Sequence, residues 1–449
     1  MKNFIICLSL LLSVFSINAQ NTPHEICGYQ HEVERILKSK PNFLKWQEAW
    51  YKDALDKYQE LQSSKRGDIT ADTLYFEIPV VFHVLYNNNA ENINDSLVHN
   101  QMRELNRAFR KMTQDTSRIR SVFKPLAADV RIQFKLATVD ENGNPTNGIT
   151  RTFTSRTTFA TNIYGSYSNF MKVSGSGGKT AWNPAKYLNI WVCDMEFPNY
   201  IGIVYGFATP PTGAPNWDNS ITKDTNDLES GVVLHYKIVG RKSPLSPSKY
   251  VEGKTAVHEV GHYLGLRHIW GDGNSTTGCS VDDGIFDTPN ARVANATCGN
   301  NQNTCVDAMN DKPDMTENYM DYALDGCAAM YTNEQAFVMR YVLNNLRPGL
   351  PHREIEFDTA VTQVEGVLVS VYPNPTAGSK TLKIKITEAS TQTYTLNIID
   401  MSGKQVITQN IQSNAVTPID AAELADAIYY ITIRNKSGEM IYKQAIITQ

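Results

Sequence analysis

The chain has 449 residues, about three times the roughly 150-residue domain prior, so two or three domains are expected. The apolar fraction is 41% and the charged fraction 20%, which supports a sizeable core and excludes a mostly disordered chain. Lys and Arg number 42 against 46 Asp and Glu, a net charge of −4 without a long basic run, which excludes a phosphate-driven nucleic-acid binder.

The first 19 residues have the pattern of a secretory signal peptide. Lys2 supplies a positive start, Phe4 to Ile17 form an apolar run, and Ala19 is a small residue at the expected cleavage point. The run is shorter than the roughly 18–20 residues that span a bilayer, and no later stretch is long and apolar enough, so no transmembrane anchor is expected in the mature chain. Cys7 leaves with the signal. The other six Cys then face an oxidising compartment in which disulfides persist.

Residues 20–66 place Leu44, Trp46, Trp50, Leu55, Tyr58 and Leu61 at helical spacing, which predicts one or two amphipathic helices. Leu74 to Leu85 predicts a strand and Asn100 to Met112 a helix carrying Met102, Leu105 and Phe109 on one face. Val130 to Val139 alternates, and Tyr187 to Cys193 is a near-continuous apolar run suited to a buried strand. Ile201 to Thr209 and Gly231 to Val239 are further strand candidates. Strands mixed with helices over residues 67–350 imply one α/β or α+β domain of catalytic size. Arg347-Pro348-Gly349-Leu350-Pro351 breaks the pattern, 351–368 reads as a linker, and 369–449 carries short strands between polar turns, as in a small β-sandwich.

The chemistry lies in His258-Glu259-Val260-Gly261-His262-Tyr263-Leu264-Gly265-Leu266-Arg267-His268. Helical residues four apart differ by about 40° in azimuth and 6 Å in rise, so His258 and His262 can share one ion. Glu259 is turned by about 100° from His258, which puts its carboxylate beside the ion, suited to taking a proton from an activated water. His268 would point away if the helix continued. Gly265 can adopt a left-handed conformation, end the helix and return His268 to the others. Three His ligands with an open position suit catalytic zinc. With nine His in the chain, this set of spacings arises by chance on the order of once in 10⁵ such chains.

This extended motif resembles that of the metzincin metallopeptidases. Asn318-Tyr319-Met320-Asp321-Tyr322 is similar to their Met-containing turn. Tyr187 to Cys193, Asp287-Thr288-Pro289 and the cysteine pattern resemble more narrowly the pappalysin family, in its bacterial ulilysin- and mirolysin-like branch, over roughly residues 25–346. The resemblance implies an α+β catalytic domain with a twisted, mostly parallel sheet and a zinc helix. It also implies Met320 as the base of the metal site and Tyr322 near the ion, where a phenol can donate to a developing oxyanion.

Trp270 to Thr316 is rich in Gly, Asn, Asp and Thr and lacks periodicity, so it needs a staple or a function. Cys279, Cys298, Cys305 and Cys327 lie in or beside it without a C-x-x-C spacing, which disfavours structural zinc and leaves three possible pairings. The resemblance implies Cys279–Cys305 and Cys298–Cys327. Asp282, Asp283, Asp287 and Thr288 offer hard oxygen ligands suited to calcium. The resemblance implies Asp283 and Thr288 among them.

Cys27, followed by Gly28, stands near the mature N-terminus. A thiolate is a good zinc ligand, and at the open position it would hold the enzyme latent, as the resemblance implies. The alternative is a disulfide with Cys193. With Cys27 as the switch, residues 20–66 would be a removable prosegment, with Ser64-Lys65-Arg66-Gly67 as a cleavage candidate. In metzincins the substrate lies antiparallel to an edge strand, for which Ile203 to Thr209 is the candidate. Relatives place an Asp near the Met turn and favour Arg or Lys after the scissile bond, a specificity role that falls on Asp325.

Tyr372-Pro373-Asn374-Pro375, Asp400-Met401-Ser402-Gly403-Lys404 and Tyr429-Tyr430-Ile431 resemble the type IX secretion sorting domain, although Ala427-Ile428 stands where many such domains have Gly. The expected protein is a secreted or surface-delivered zinc endopeptidase made as a zymogen, binding Zn²⁺ and Ca²⁺, with protein or peptide substrates and the type IX secretion machinery as partners. The competing readings are a non-catalytic surface adhesin or binding protein on the same fold, and a metal amidase acting on a non-protein amide. The intact Glu259 disfavours the adhesin.

Overall fold

A computed structural model describes residues 27–63, 74–160, 169–196, 204–212, 228–245, 251–272, 276–299, 302–307, 311–350, 352–355, 367–372, 381–400, 404–422, 424, 428–438 and 440–447. The expected signal peptide at 1–19, the cleavage candidate Ser64 to Gly67, residues 201–203 of the strand candidate Ile201 to Thr209, and most of the linker lie outside the described residues.

Two helices open the described chain, α1 (Tyr29–Ser39) and α2 (Phe43–Ser63). The buried face of α2 carries Phe43, Trp46, Gln47, Trp50, Tyr51 and Ala54. Leu44 and Leu61, expected on that face, are instead exposed at 45% and 52%. Trp46, Trp50 and Ala54 recur every four residues, whereas Leu44 lies about 200° from Trp46 on the helical wheel. These helices are not a separate appendage. Phe43, Trp46, Trp50 and Tyr51 belong to the same buried cluster as the residues of the main sheet and its helices.

The sheet is built around β1 (Leu74–Tyr86). Helix α3 (Asp95–Phe109) follows. It starts five residues before the expected Asn100, because the Asn94 side chain accepts from the Ser96 N–H and caps it there. Strands β2 (Ile132–Leu136) and β3 (Ile149–Phe153) pair with successive parts of β1, both parallel to it. Strand β4 (Leu188–Cys193) is buried at every position, as its apolar run predicts. Strand β5 (Gly206–Ala208) is antiparallel to β6 (Val232–His235), and the sheet order is β2-β1-β4-β6-β5. The parallel pairs are β1 with β2, β3 and β4, and β4 with β6.

Helix α4 (Lys254–Tyr263) packs on β5, β6 and α3. Helix α5 (Asn333–Asn345) begins at a capping box between Thr332 and Gln335. Strand β7 (His352–Ile355) then pairs antiparallel with the start of β1. The main sheet thus includes residues 352–355, within the segment that the sequence reads as a linker. Proline and glycine mark a bend before it, but β1 offers an open backbone edge to the strand that follows.

The last part, described by itself, contains β8 (Leu368–Tyr372), β9 (Thr381–Thr387), β10 (Thr393–Asp400), β11 (Gln405–Gln412), β12 (Val416–Asp420), β13 (Ile428–Arg434) and β14 (Met440–Ile447). They form sheets β11-β10-β13-β14 and β12-β9-β8. Strict alternation on β9 turns Leu382, Ile384 and Ile386 inward, where they meet Leu396, Ile398, Ile431 and Ile433.

The burial of Trp50, 0% exposed, predicts that Trp50→Ala costs the chain about 3–5 kcal/mol. Leu44→Ala should stay within about 0.5 kcal/mol. Denaturant unfolding of the two variants checks which face of α2 is load-carrying.

Candidate metal centre

Helix α4 carries His258, Glu259 and His262, and its C-terminal turn sets the third histidine. Leu264 caps the helix, and Gly265 follows at φ +95°, a left-handed conformation. A Cβ at Gly265 would stand 2.7 Å from Trp50 Cη2 and 2.9 Å from Val342 Cγ2. Space and backbone angle therefore both require glycine there. The chain turns, and His268 returns to the helix.

The three Nε2 atoms then converge. His258 and His268 are 3.2 Å apart, and His262 is 3.0 Å from each. The opposite nitrogens decide the proton positions. His258 Nδ1 faces the Tyr319 carbonyl at 2.7 Å and His262 Nδ1 the Leu266 carbonyl at 2.8 Å. Carbonyls only accept, so each Nδ1 donates and each Nε2 presents a lone pair. His268 Nδ1 meets Asp272 Oδ1, with the same consequence. Burial, followed by the neighbouring His268, pushes His258 down to about 3 and His262 well below its usual value. Neutral imidazoles with lone pairs aimed at one another repel unless a cation lies between them. Ligands each about 2.0–2.1 Å from a tetrahedral zinc ion lie about 3.3 Å apart, so the cluster fits zinc.

Glu259 is fully buried beside this cluster, and neither carboxylate oxygen has a hydrogen bond of normal geometry among the described residues. Burial pushes its carboxyl up to about 8, offset in part by the adjacent Cys27 thiol. A cation alongside would draw it back toward the ionised form. Gly206 of β5 lies directly against it, since a Cβ there would approach Glu259 Cγ to 2.8 Å.

Met320 lies under the helix, fully buried. Gly261 makes room for it, because a Cβ at Gly261 would stand 2.5 Å from Met320 Sδ. Tyr322 is half-buried, with its ring 5.7 Å from that of His258 and 4.9 Å from that of His268. Its hydroxyl donates to the Cys27 carbonyl at 3.5 Å. Cys27 is buried and unbonded to Cys193, which is also a free buried thiol, so the alternative disulfide is not formed. Instead Cys27 Sγ and the three histidines offer ligand atoms that all lie within 4.8 Å of one another. Gly28 N–H donates to the Gly206 carbonyl at 2.8 Å, and the Cys27 segment runs parallel to β5.

The structure joins Cys279 to Cys305 and Cys298 to Cys327. Asp283 and Thr288 are buried and in contact, the Thr288 hydroxyl donating to Asp283 Oδ1 at 2.8 Å. Asp325 borders a cavity that also takes in His258, Glu259, Tyr205, Ile238 and Leu324. Its Oδ2 accepts from the backbone N–H groups of Glu252 at 2.7 Å and Lys254 at 3.3 Å.

Three contributors were not singled out from sequence. Asp272 orients His268, and its signal was a carboxylate four residues beyond the last ligand. Tyr29 stacks on His262 at 4.0 Å between centroids, and Trp270 stacks on His268 at 4.3 Å. Nothing in a linear pattern pairs Tyr29 with a ring more than 200 positions away.

Buried imidazoles converging on one point, with a carboxylate beside them, define the class: a metallopeptidase of the metzincin type. The sequence profile described as pregnancy-associated plasma protein-A matches residues 176–344, and that of the secretion system C-terminal sorting domain matches 370–448. Mirolysin in complex with compound 9 is 40% identical at a TM-score of 0.53, covering 62% of this chain and 96% of that one. A promirolysin mutant from Tannerella forsythia is 37% identical at a TM-score of 0.57, covering 72% and 96%. An extracellular metalloprotease of Arthroderma otae is 33% identical over 36% of this chain and 53% of its own length. One from Aspergillus fumigatus is 32% identical over 32% and 42%. The chain thus spans about half the length of the curated relatives it matches. It belongs to the pappalysin family of metallopeptidases.

Because Asp272 fixes the His268 tautomer, Asp272→Ala should weaken metal affinity about 10–100-fold. Chelator-competition titration of the purified chain measures it.

Proposed function

We propose that this chain is a secreted zinc endopeptidase made as a latent zymogen. The observation that carries the reading is the convergence of three Nε2 lone pairs within 3.0–3.2 Å beside the buried Glu259. His258, His262 and His268 would hold the ion. Zinc at such a site supplies Lewis acidity, making water easier to deprotonate and the scissile carbonyl easier to attack.

The residues of the chain do the rest. Glu259 takes a proton from water as the water oxygen bonds to the carbonyl carbon. It returns that proton to the amide nitrogen as the C–N bond breaks, so nitrogen leaves as a neutral amine. Tyr322 donates a hydrogen bond to the oxyanion that forms in between. The β5 edge supplies backbone partners to an extended substrate, which makes recognition depend little on sequence at those positions. Beyond the ion, Asp325 on the cavity wall would favour Lys or Arg after the cleaved bond.

Latency follows from the position of Cys27. Its thiol lies among the histidines and against Glu259, in the space a water and a substrate carbonyl need. Residues 20–66 are then the prosegment, and 67–350 with β7 the catalytic unit. Asp283 and Thr288 are proposed calcium ligands; a cation would balance the buried Asp283 carboxylate, whose pKa burial now raises. The sorting domain at the end of the chain supports delivery by the type IX secretion system.

Casein cleavage by the processed chain should cease with a zinc chelator and return with zinc. Glu259→Ala should lower kcat/KM by about 10²–10⁴-fold, while metal analysis still finds bound zinc. Retention of activity in that variant would reject the mechanism. Cys27→Ala should raise the activity of the uncleaved precursor, and an unchanged precursor would reject the switch.

A further inference from the structure

The prosegment carries a second group deep into the cleft, away from the metal. Glu32, in the first turn of α1, is 1% exposed. Its Oε1 accepts from the Thr209 hydroxyl at 3.0 Å and faces Lys172 Nζ at 3.9 Å. Arg35 of the same helix holds Glu32 at 2.7 and 3.0 Å and also reaches Glu229 at 2.7 Å. Burial alone would raise the Glu32 carboxyl, but Lys172 and Arg35 hold it below the usual range.

Two of these partners belong to the catalytic unit and remain when the prosegment goes. The Lys172 side chain is 0% exposed. Its Nζ donates to Thr209 Oγ1 at 3.0 Å and to the Glu229 carbonyl at 2.7 Å, and lies 5.4 and 5.1 Å from the ring centroids of Trp191 and Phe207. An ammonium backed by two aromatic rings, and a hydroxyl, thus face the place that a carboxylate fills in the precursor.

The position on the track is set by β5. Gly206 lies against Glu259, and Thr209 comes three residues later, about 10 Å along an extended strand. A substrate antiparallel to β5 passes Thr209 before it reaches Glu259, so the residue beside Thr209 lies about two to four positions before the cleaved bond. We infer that Lys172 and Thr209 form a subsite for an acidic side chain of the substrate, N-terminal to the scissile bond, which Glu32 occupies in the precursor. This rests on the endopeptidase reading above. Glu229, held by Arg35 and by Asn169 Nδ2 at 2.9 Å, is an internal competitor that could turn to Lys172 once Arg35 leaves.

The test uses the full chain, purified as the Glu259→Ala precursor and converted by limited trypsin cleavage near Lys65 and Arg66. Fluorescence polarisation then compares labelled peptides with Glu, Gln or Lys at the second, third or fourth position before the bond. The expected result is a Kd about tenfold lower for Glu than for Gln at one of these positions, and weakest binding for Lys. Lys172→Met should abolish the difference, and Lys172→Arg should keep it. The Glu and Gln comparison needs no change in the subsite, so a variant that fails to fold does not silence the test. Equal affinities at all three positions, including through capture of Lys172 by Glu229, overturn the proposal. A Glu preference that survives Lys172→Met does so too. Should the Glu preference appear while the chain with Glu259 intact cleaves none of the peptides, the acidic subsite is supported and the peptidase reading fails.

Discussion

Three nitrogen lone pairs meet in a space that water cannot enter freely. Each imidazole is made a one-sided acceptor by the group behind it: the Tyr319 carbonyl, the Leu266 carbonyl and the Asp272 carboxylate. Without protons on the facing nitrogens, the arrangement is held against repulsion by the packing around it, and a divalent cation resolves it. Much of the surrounding structure can be understood as the scaffold that keeps those rings aimed at one point.

That scaffold depends on close approach. Helix α4 can sit over Met320 because Gly261 has no Cβ, and the chain can reverse beneath Trp50 because Gly265 has none. At Gly206 the same economy of volume lets the sheet edge touch Glu259. Three glycines at three contacts let a helix, a turn and a strand pack closely around the histidine cluster and Glu259. The disulfide Cys298–Cys327 ties the long loop to the segment just after the Met turn, so a loop with little regular structure is anchored beside Tyr322.

The segment proposed as the prosegment uses the same features. Trp50 fills the space beside Gly265, Tyr29 covers His262, Cys27 enters the histidine cluster and Glu32 reaches Lys172. In the proposed latent form, inhibition is distributed between an apolar anchor, a thiol among the histidines and a buried ion pair. At Cys27 the chain runs parallel to β5, opposite to the direction proposed for a substrate, so the cleft is filled without placing a peptide bond of this segment in the productive orientation.

The convergence of the three histidines beside Glu259, the helix end at Gly265 and the alternating strands of the last domain were open to a reading of the sequence, because each depends on local spacing: four residues per helical neighbour, two per strand face. Family resemblance extended that to the cysteine pairs seen in the structure. The exposed Leu44 and the early start of α3 escaped it, since a helix face and a cap are decided by what packs or bonds against them. Only the tertiary structure could bring Tyr29 onto His262 and Glu32 to Lys172. Such contacts join residues whose separation along the chain carries no periodic signal, and their energies arise from burial, which exists only once the chain has folded.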